Sequence, residues 1–570
     1  MRSLYLRFSA CTRCVFVVAS LAIGFTNSLH AKPGDLDRSF GLGGQVVSAL
    51  NGSLSRAVIT TTTGRILSTG YCPIGQTSAI QPCVTALAEN GSVETGFAST
   101  GVLRLGTTGT LNAIAMLRVG VFVAVGNCGL QFCAFAFDEN GVLDASFGIG
   151  GMVTARFSSG SFFDIATAVV VNASGFTIVG KCDFGSLQTG WDFCLARFDT
   201  AGQLDSAYAS QGKLTISVSA GNGFDYADTA VETSDGSIVV FGTCKTDALG
   251  YGEMCAAKVS PAGVVVPAFG VNGILSLRGP NVTTGTITRT ANLRLDGKLL
   301  ISGTCNGAYD NAIGDSKFCS VLISQGGIVD TTYGVNGWFT HSPASGWFDA
   351  HSARPQDDSK LLIVGQCVTD AISIYDFCIV RVGNVGALDA SFGTAGFVKT
   401  PFSGATYEAA ITVNIDSSRR AILGGSCSYS GVSKTCFVRL HTRQDYFDLD
   451  NDNESKPETD GLLHLRHLLG YRDTVLTADA LGTYADRTIG SDIATYLATP
   501  NATFPNCSAN IVGAPGGPNA MLDGIVLMRA MLGLTGGAVT NGINFPAGTV
   551  RTTWTDIKTH LNTNCGMALN

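Results

Sequence analysis

The stretch GVLDASFGIGG at residues 141–151 recurs through most of the chain. Each copy keeps an opening Gly, an aromatic residue, and a closing Gly four residues after that aromatic. The copies are GDLDRSFGLGG (34–44), GSVETGFASTG (91–101), GVLDASFGIGG (141–151), GQLDSAYASQG (202–212), GVVVPAFGVNG (263–273), GIVDTTYGVNG (327–337) and GALDASFGTAG (386–396). A period of about sixty residues indicates a repeat architecture, in which each unit packs on its neighbours.

The residue pattern around each copy predicts β structure. A short alternating run such as MVTARF (152–157) follows the turn, and a later apolar run ends in Gly-x-Cys, as in GSIVVFGTC (236–244). Within the turn, the Asp can accept backbone N–H bonds and the glycines can adopt positive φ. Glu94 and Val266 replace the Asp in two copies. We therefore interpret the turn as scaffold and not as a catalytic or ligating site.

Fourteen of the eighteen cysteines form one pair per repeat, on either side of a polar loop between two apolar strands. Facing positions at the base of a hairpin predict disulfides. The alternative, a zinc site, is disfavoured because the only CxxC motif, CTRC (11–14), lies at the amino terminus. The pairs are Cys72 and Cys83, Cys128 and Cys133, Cys182 and Cys194, Cys244 and Cys255, Cys305 and Cys319, Cys367 and Cys378, and Cys427 and Cys436.

The amino terminus and the charge distribution restrict location and partners. Residues 1–31 combine three arginines, the apolar run CVFVVASLAIGF (14–25) and a small residue at the end, which predicts a signal peptide. No other stretch reaches eighteen apolar residues, so we expect no membrane span. The net charge is −7 and the Lys and Arg residues are scattered, which disfavours nucleic acid as a partner. The sequence predicts a secreted, periplasmic or cell-surface protein.

The recurring turn resembles the delta-60 repeat, a module of bacterial exported proteins, over residues 32–441. That resemblance implies an all-β domain in which seven repeats form a seven-bladed β-propeller, because radial repetition leaves only short, protected strand edges. An open β-solenoid is the structural alternative. The strand that closes the ring is not predicted.

Past residue 441 the period stops, and the stretch DLDNDNESKPETDG (448–461) carries six acidic side chains. Asp448, Asp450 and Asp452 occupy positions 1, 3 and 5 of a calcium loop. Glu454 falls at position 7, where a main-chain carbonyl usually binds, and Asp460 closes the loop. The amphipathic stretch GLLHLRHLLGY (461–471) follows directly and predicts a helix. A solvated acidic linker is the alternative, but it needs neither the alternate spacing nor the helix.

This loop and helix resemble the dockerin-type calcium module, and residues 442–570 contain two copies of it. DGLLHLRHLLG (460–470) recurs as DGIVLMRAMLG (523–533), and RTIGSDIATYL (487–497) as RTTWTDIKTHL (551–561). The second loop, NIVGAPGGPNAMLD (510–523), retains only Asp523 of the acids. We therefore expect one calcium ion in a small α-helical dockerin-like domain, and the resemblance implies a possible docking partner for this tail.

Two functional hypotheses follow. The chain contains no P-loop, HExxH motif, nucleophile elbow or sialidase-type Asp box, which favours a non-enzymatic binding or surface-display protein whose propeller face takes a protein or carbohydrate ligand. The alternative is a secreted polysaccharide-active enzyme, a lyase or glycosidase with a docking module. Carboxylates and aromatics from several blades that converge on one channel mouth would favour the enzyme.

Overall fold

The computed structural model describes most of the chain after the predicted signal peptide, and residues 1–31 lie outside it. The described residues are 32–75, 79–185, 190–219, 223–245, 252–280, 285–306, 316–342, 347–368, 375–452, 454–501, 503–567 and 569. In chain order the strands are β1 (Gln45–Asn51), β2 (Leu54–Thr60), β3 (Ile66–Pro73), β4 (Ile80–Leu87), β5 (Val102–Arg104), β6 (Gly109–Arg118), β7 (Val121–Cys128), β8 (Gln131–Asp138), β9 (Met152–Ala155), β10 (Asp164–Asn172), β11 (Gly175–Asp183), β12 (Trp191–Phe198), β13 (Lys213–Ile216), β14 (Asp225–Glu232), β15 (Ile238–Cys244), β16 (Glu253–Val259), β17 (Ile274–Leu277), β18 (Thr286–Leu293), β19 (Leu299–Cys305), β20 (Lys317–Ile323), β21 (Trp338–His341), β22 (Trp347–Pro355), β23 (Leu361–Val368), β24 (Asp376–Val382), β25 (Phe397–Thr400), β26 (Tyr407–Ile415), β27 (Ala421–Tyr429) and β28 (Val432–Leu440).

These strands form seven four-stranded antiparallel sheets, which are the blades of a propeller. Blades 1 to 6 take their strands consecutively, from β2–β5 to β22–β25. Blade 7 consists of β26, β27, β28 and the amino-terminal strand β1, in which Gln45 lies opposite Val438. The first strands of neighbouring blades contact one another around a central channel. Because β1 is the outermost strand of the last blade, the two ends of the repeat region close the ring together.

Seven backbone hydrogen bonds connect the seven recurring turns into a closed circle. The N–H after each turn aromatic donates to the carbonyl that precedes the opening Gly of the next turn, as from Gly148 to Ala201 at 2.9 Å. The last of these bonds runs from the Gly393 N–H to the Pro33 carbonyl at 2.7 Å and joins turn 7 to turn 1. An open solenoid has no such return contact, so the predicted seven-bladed propeller is confirmed.

The turn residues have the scaffold roles expected from the sequence. Asp144 accepts hydrogen bonds from the N–H of Ser146 at 3.0 Å and from its hydroxyl at 2.6 Å. The opening Gly263 has φ +80°, and a Cβ there would lie 2.6 Å from the backbone nitrogen of Ala209 in the preceding turn, which explains the need for glycine. The turn aromatics are at most 2% exposed; they are Phe40, Phe97, Phe147, Tyr208, Phe269, Tyr333 and Phe392.

The predicted cysteine pairs form one disulfide in each blade, and an eighth joins Cys507 to Cys565 in the tail. Their Cα atoms lie 5.1–6.0 Å apart, a separation that suits the bridge. In blade 3, Cys182 lies opposite Asp164 at the start of the first strand. The disulfides and the starts of the channel-lining strands therefore share one side of the ring, which we call the disulfide face. The recurring turns lie on the other side, the turn face.

The tail is helical and pseudo-symmetric. Its helices are α1 (Leu462–Leu468), α2 (Asp473–Thr477), α3 (Gly490–Ala498), α4 (Ile525–Met531), α5 (Gly537–Thr540) and α6 (Trp554–Asn564). Arg466 donates to the carbonyls of Leu476 and Ala478, and its counterpart Arg529 donates to those of Val539 and Asn541. These equivalent bonds are consistent with the duplication seen in the sequence.

The tail packs against the turn face of the propeller. Arg38 pairs with Asp486 at 3.3 Å, and Arg419 donates to the carbonyl of Met567. The disulfide face therefore keeps its channel mouth clear of these helices. Among the described residues, no helix is both long enough and apolar enough to cross a membrane.

Candidate functional sites

Each channel-lining strand contains a β-bulge at the same place, so one extra residue per blade enters the channel wall. In blade 4, for example, the register with β15 shifts between Ala227 and Thr229 and leaves Asp228 unpaired in the ladder. Bulges commonly redirect side chains at functional sites. The seven bulge residues are Arg56, Asn112, Thr167, Asp228, Arg289, His351 and Ile411. Their chemistry differs from blade to blade, although the surrounding frame repeats.

A second ring of variable residues comes from the middle position of Gly-x-Cys. Thr243 donates to the carboxylate of Asp228 at 3.3 Å, and Thr304 donates to that of Asp349 at 2.8 Å. These bonds direct two members of the second ring toward carboxylates of the innermost strands. Its members are Tyr71, Asn127, Lys181, Thr243, Thr304, Gln366 and Ser426. Together the two rings define the channel wall near the disulfide face.

Arg289 is the electrostatic centre of this wall. Its Nη2 atom donates to both carboxylate oxygens of Asp349, at 3.2 and 3.3 Å. Burial lowers the pKa of Arg56 in blade 1 and that of Lys181 in blade 3, and the positive charge of Arg289 in blade 5 also lowers both. Blades 1, 3 and 5 are not neighbours, so these interactions run across the channel. Charged groups from five blades therefore lie at about the same depth in the channel.

The environment separates the pKa values of the two channel carboxylates. Burial raises the pKa of Asp228 to about 6, against the effects of Lys181 and Arg289. Burial also acts to raise the pKa of Asp349, but Arg289, His351 and the hydrogen bond from Thr304 together outweigh it and hold that pKa below its usual value. Burial is the largest cause that lowers the pKa of His351 to about 4, so this histidine is neutral at pH 7. The wall then presents three cations and two carboxylates.

Aromatic side chains flank the charged cluster on both sides. In blades 3 and 4, the Nζ atom of Lys181 lies 4.0 Å from the ring centroid of Tyr226 and 5.5 Å from that of Trp191. On the opposite side, Trp347 and Tyr375 have their ring centroids 5.3 Å apart, and Tyr375 and Tyr407 are also 5.3 Å apart. All of these rings lie at the disulfide-face end of the strands and are at least partly exposed.

The channel wall is open to solvent. Arg56 is exposed and the other charged groups are half-buried, although all of them lie on the two innermost strands of their blades. Sequence analysis missed these residues because each blade contributes only one or two of them, so no local motif forms. A signal was nevertheless present in the sequence. The middle residue of Gly-x-Cys changes its chemical type from repeat to repeat, although the Gly and the Cys on either side of it recur in every copy.

The acidic loop of the tail brings three of its predicted ligands together. Asp448, Asp450 and Asp460 each place a carboxylate oxygen within 4.8 Å of the others. Asp460 accepts hydrogen bonds from the N–H groups of Leu449 at 2.6 Å and Lys456 at 3.0 Å, which fix the loop around it. Burial, followed by repulsion between the carboxylates, raises the pKa of Asp448 and Asp460. A hard cation with oxygen ligands would relieve this repulsion.

The other two predicted ligands lie outside this trio. Burial and the neighbouring Asp450 raise the pKa of Asp452 to about 7. The carboxylate of Glu454 forms ion pairs with Arg420, at 3.5 Å, and with Lys456. Its side chain therefore binds the propeller, which is compatible with a position that would offer only its carbonyl to a metal. Asn453 stands at position 6 of the loop, where such loops turn sharply, and lies outside the described residues.

The second loop repeats the framework of the first without its acids. Asp523 accepts hydrogen bonds from the N–H groups of Val512 and Asn519, both at 2.8 Å, as Asp460 does in the first loop. The Asp that both copies retain, Asp460 in the first loop and Asp523 in the second, therefore has a structural role. The second copy lacks the acids that are grouped around Asp460 in the first, Asp448 and Asp450. Cys507 and Cys565 lie beside His560, but their disulfide leaves no thiolates for a metal.

Comparisons with known proteins assign no family to the chain. The chain matches no protein-family model and no curated protein. Polysaccharide lyase Uly1 is 10% identical, with coverage of 71% of this chain and 92% of that structure and a TM-score of 0.40. Drosophila Plexin A, in complex with Semaphorin 1b, is 8% identical (74% and 90% covered, TM-score 0.39). The N-terminal domain of Nup159 is 9% identical (72% and 98% covered, TM-score 0.36).

Proposed function

We propose that the protein is an exported, non-enzymatic recognition protein that binds a glycan at the channel mouth of its disulfide face. The observation that carries this proposal is the contrast between the repeated turn and the seven different bulge residues. A purely structural ring would repeat its inner positions as it repeats its turns. Convergent polar groups beside aromatic rings in a concavity are the usual composition of a ligand site.

Export is supported by the disulfides. Eight bridges suit an oxidising compartment outside the cytoplasm, where thiols are not kept reduced. Residues 1–31 have the composition of a signal peptide. We therefore assign the protein to the periplasm, the cell surface or the extracellular medium, as an exported protein of the delta-60 repeat type.

The tail is proposed to be a dockerin-like module stabilised by one calcium ion. Asp448, Asp450 and Asp460 would hold the ion, with Asp452 and the backbone carbonyl of Glu454 as further ligands. The grouped, buried oxygen ligands of the first loop and their loss from the second support a single ion. A docking partner would use the tail surfaces that face away from the propeller.

A glycan array tests the recognition role. We expect the full-length protein to retain at least one glycan and the variant Tyr226→Ala to lose most of that binding, because Tyr226 offers its ring at the channel mouth. Tyr471→Ala is the matched control, since Tyr471 is an exposed aromatic of the tail. A glycan retained equally by both variants, or no retained glycan at all, would contradict the proposal.

The second candidate is a polysaccharide-active enzyme, and the structure supplies an observation in its favour. Two carboxylates with separated pKa values, Asp228 and Asp349, meet aromatics from several blades in one channel, and such separation is typical of acid–base pairs. The same array experiment distinguishes the candidates if the bound glycans are assayed afterwards for new reducing ends. Release by the native protein that Asp228→Asn abolishes would favour the enzyme.

A further inference from the structure

We infer that the ligand of the channel mouth is an acidic polysaccharide, a polyuronate, whose carboxylates pair with Arg56 and Lys181. This inference rests on the proposed recognition role and specifies its ligand. Arg56 comes from the innermost strand of blade 1 and Lys181 from the second strand of blade 3. Two separate cationic points suit a polymer with a carboxylate on successive sugars better than a small monocarboxylate.

The cations of the channel wall differ in their ion pairing. Arg289 is paired with Asp349 within the wall. Neither Arg56 nor Lys181 forms an ion pair with any described carboxylate, and the guanidinium of Arg56 also makes no hydrogen bond within the described part of the chain. A guanidinium that projects into a channel with its donors unused is available to a ligand, and its fork geometry matches a carboxylate.

Repulsion between cations of the channel wall also favours an anionic ligand. Arg289 acts unfavourably on the protonated forms of both Arg56 and Lys181, so it repels both of them across the channel. Asp228, the carboxylate that attracts Lys181, does not approach it closely enough to form an ion pair. An anion bound between Arg289 and the other two cations lowers this repulsion, because its charge is opposite to theirs. The positive excess is local, since the chain as a whole has a net charge of −7.

The aromatic rings at the channel mouth restrict the shape of the ligand. Aromatic rings lie on both sides of the cations, with Trp191 and Tyr226 on one side and Trp347 and Tyr407 on the other. The ring beside Lys181 also holds the ammonium in place at 4.0 Å. A ligand that crosses the mouth therefore needs apolar faces that can stack on these rings and acidic groups beside them. A chain of uronate sugars combines these features.

Calorimetric titration of the full-length protein with polygalacturonate tests the inference. We expect binding that weakens with added salt, and at least about tenfold weaker binding to the fully methyl-esterified polymer, which has the same backbone without charge. The double variant Arg56→Gln, Lys181→Met should lose at least about tenfold in affinity. The control Arg104→Gln, Lys558→Met removes the same charge from the outer edge of blade 1 and from the tail, and should bind as the native protein does.

Four outcomes would overturn the inference. They are equal binding of the methyl ester, equal losses in the two double variants, equally tight binding of polyglutamate, and no binding of polygalacturonate. A glycan that is retained by the native protein and lost in Tyr226→Ala, yet is neutral, would leave the recognition role standing while excluding the polyuronate. The two proposals therefore fail on different results.

Discussion

Replacement of Asp37 by Ala is expected to lower the free energy of unfolding by about 3–5 kcal/mol, because it removes one partner from a buried ion pair. The Asp37 carboxylate is 2% exposed and accepts hydrogen bonds from Arg439 at 2.6 Å and from Arg420 at 3.5 Å. Both arginines belong to blade 7, whereas Asp37 belongs to the first turn. The substitution therefore leaves two buried guanidinium groups without this partner at the point where the ring closes.

Asp144→Ala is the matched control. Asp144 occupies the same turn position and makes the same bonds to the following Ser, but its partner Arg118 is 44% exposed. Exposed pairs contribute roughly 0–1 kcal/mol, so this loss should be much smaller. Denaturant unfolding of both variants measures the difference. Equal losses would mean that ring closure does not depend on the buried pair.

The same pair predicts a pH dependence. Burial acts to raise the pKa of Asp37, but Arg439, His441 and the other partners outweigh it and hold that pKa below its usual value. A carboxylate whose pKa is lowered on folding contributes stability at pH values above its unfolded pKa of about 3.9. This contribution disappears as the pH falls through the folded pKa. We expect Asp37→Ala to be destabilising at pH 7 and to lose less further stability than the native protein below about pH 4.

Calcium is expected to stabilise the full-length protein after treatment with a chelator, by about 2.7 kcal/mol at a free concentration one hundred times the Kd. The physical reason is that the ion offsets repulsion among the buried carboxylates of Asp448, Asp450 and Asp460. Asp450→Asn should abolish most of the gain. The amide keeps an acceptor for the N–H of Gly482, which Asp450 binds at 2.5 Å, so the loop should still fold.

Asp492→Asn is the control for this experiment, because Asp492 is an exposed acid of helix α3 that lies outside the loop. Thermal denaturation gives the stabilisation, and calorimetry gives the stoichiometry, which we expect to be one ion per chain. A calcium response that persists in Asp450→Asn would place the ion elsewhere. If calcium does not stabilise the native protein, the acidic stretch is a solvated linker and not a calcium loop.

The scaffold of the propeller could be predicted from the sequence because it depends on local chemistry that recurs. The Asp and Ser of the turn bond to each other two residues apart, and the cysteines of each pair face one another across a single hairpin. Ring closure by β1 could not be predicted in this way. Its partner β28 lies almost four hundred residues further along the chain, and the pairing follows only from the geometry of the whole ring.

The channel site escaped prediction for a related reason. Arg56, Lys181 and Arg289 come from three blades, and no one of them differs from an ordinary strand residue in its own repeat. Only the radial arrangement brings them to one level. In the tail, the alternate acids of the loop predicted that Asp448, Asp450 and Asp460 would meet, since neighbouring ligands of such a loop are close in sequence. The ion pairs of Glu454 with the propeller had no local signal.

Tryptophan fluorescence tests most directly whether the channel mouth is the ligand site. The chain has four tryptophans; Trp191 and Trp347 lie at that mouth, Trp338 is buried within blade 5, and Trp554 belongs to the tail. With polygalacturonate as the ligand, the emission change should vanish in Trp191→Phe, Trp347→Phe and persist in Trp338→Phe, Trp554→Phe. An emission change that survives in the first double variant and disappears in the second would contradict the account and move the ligand away from the channel.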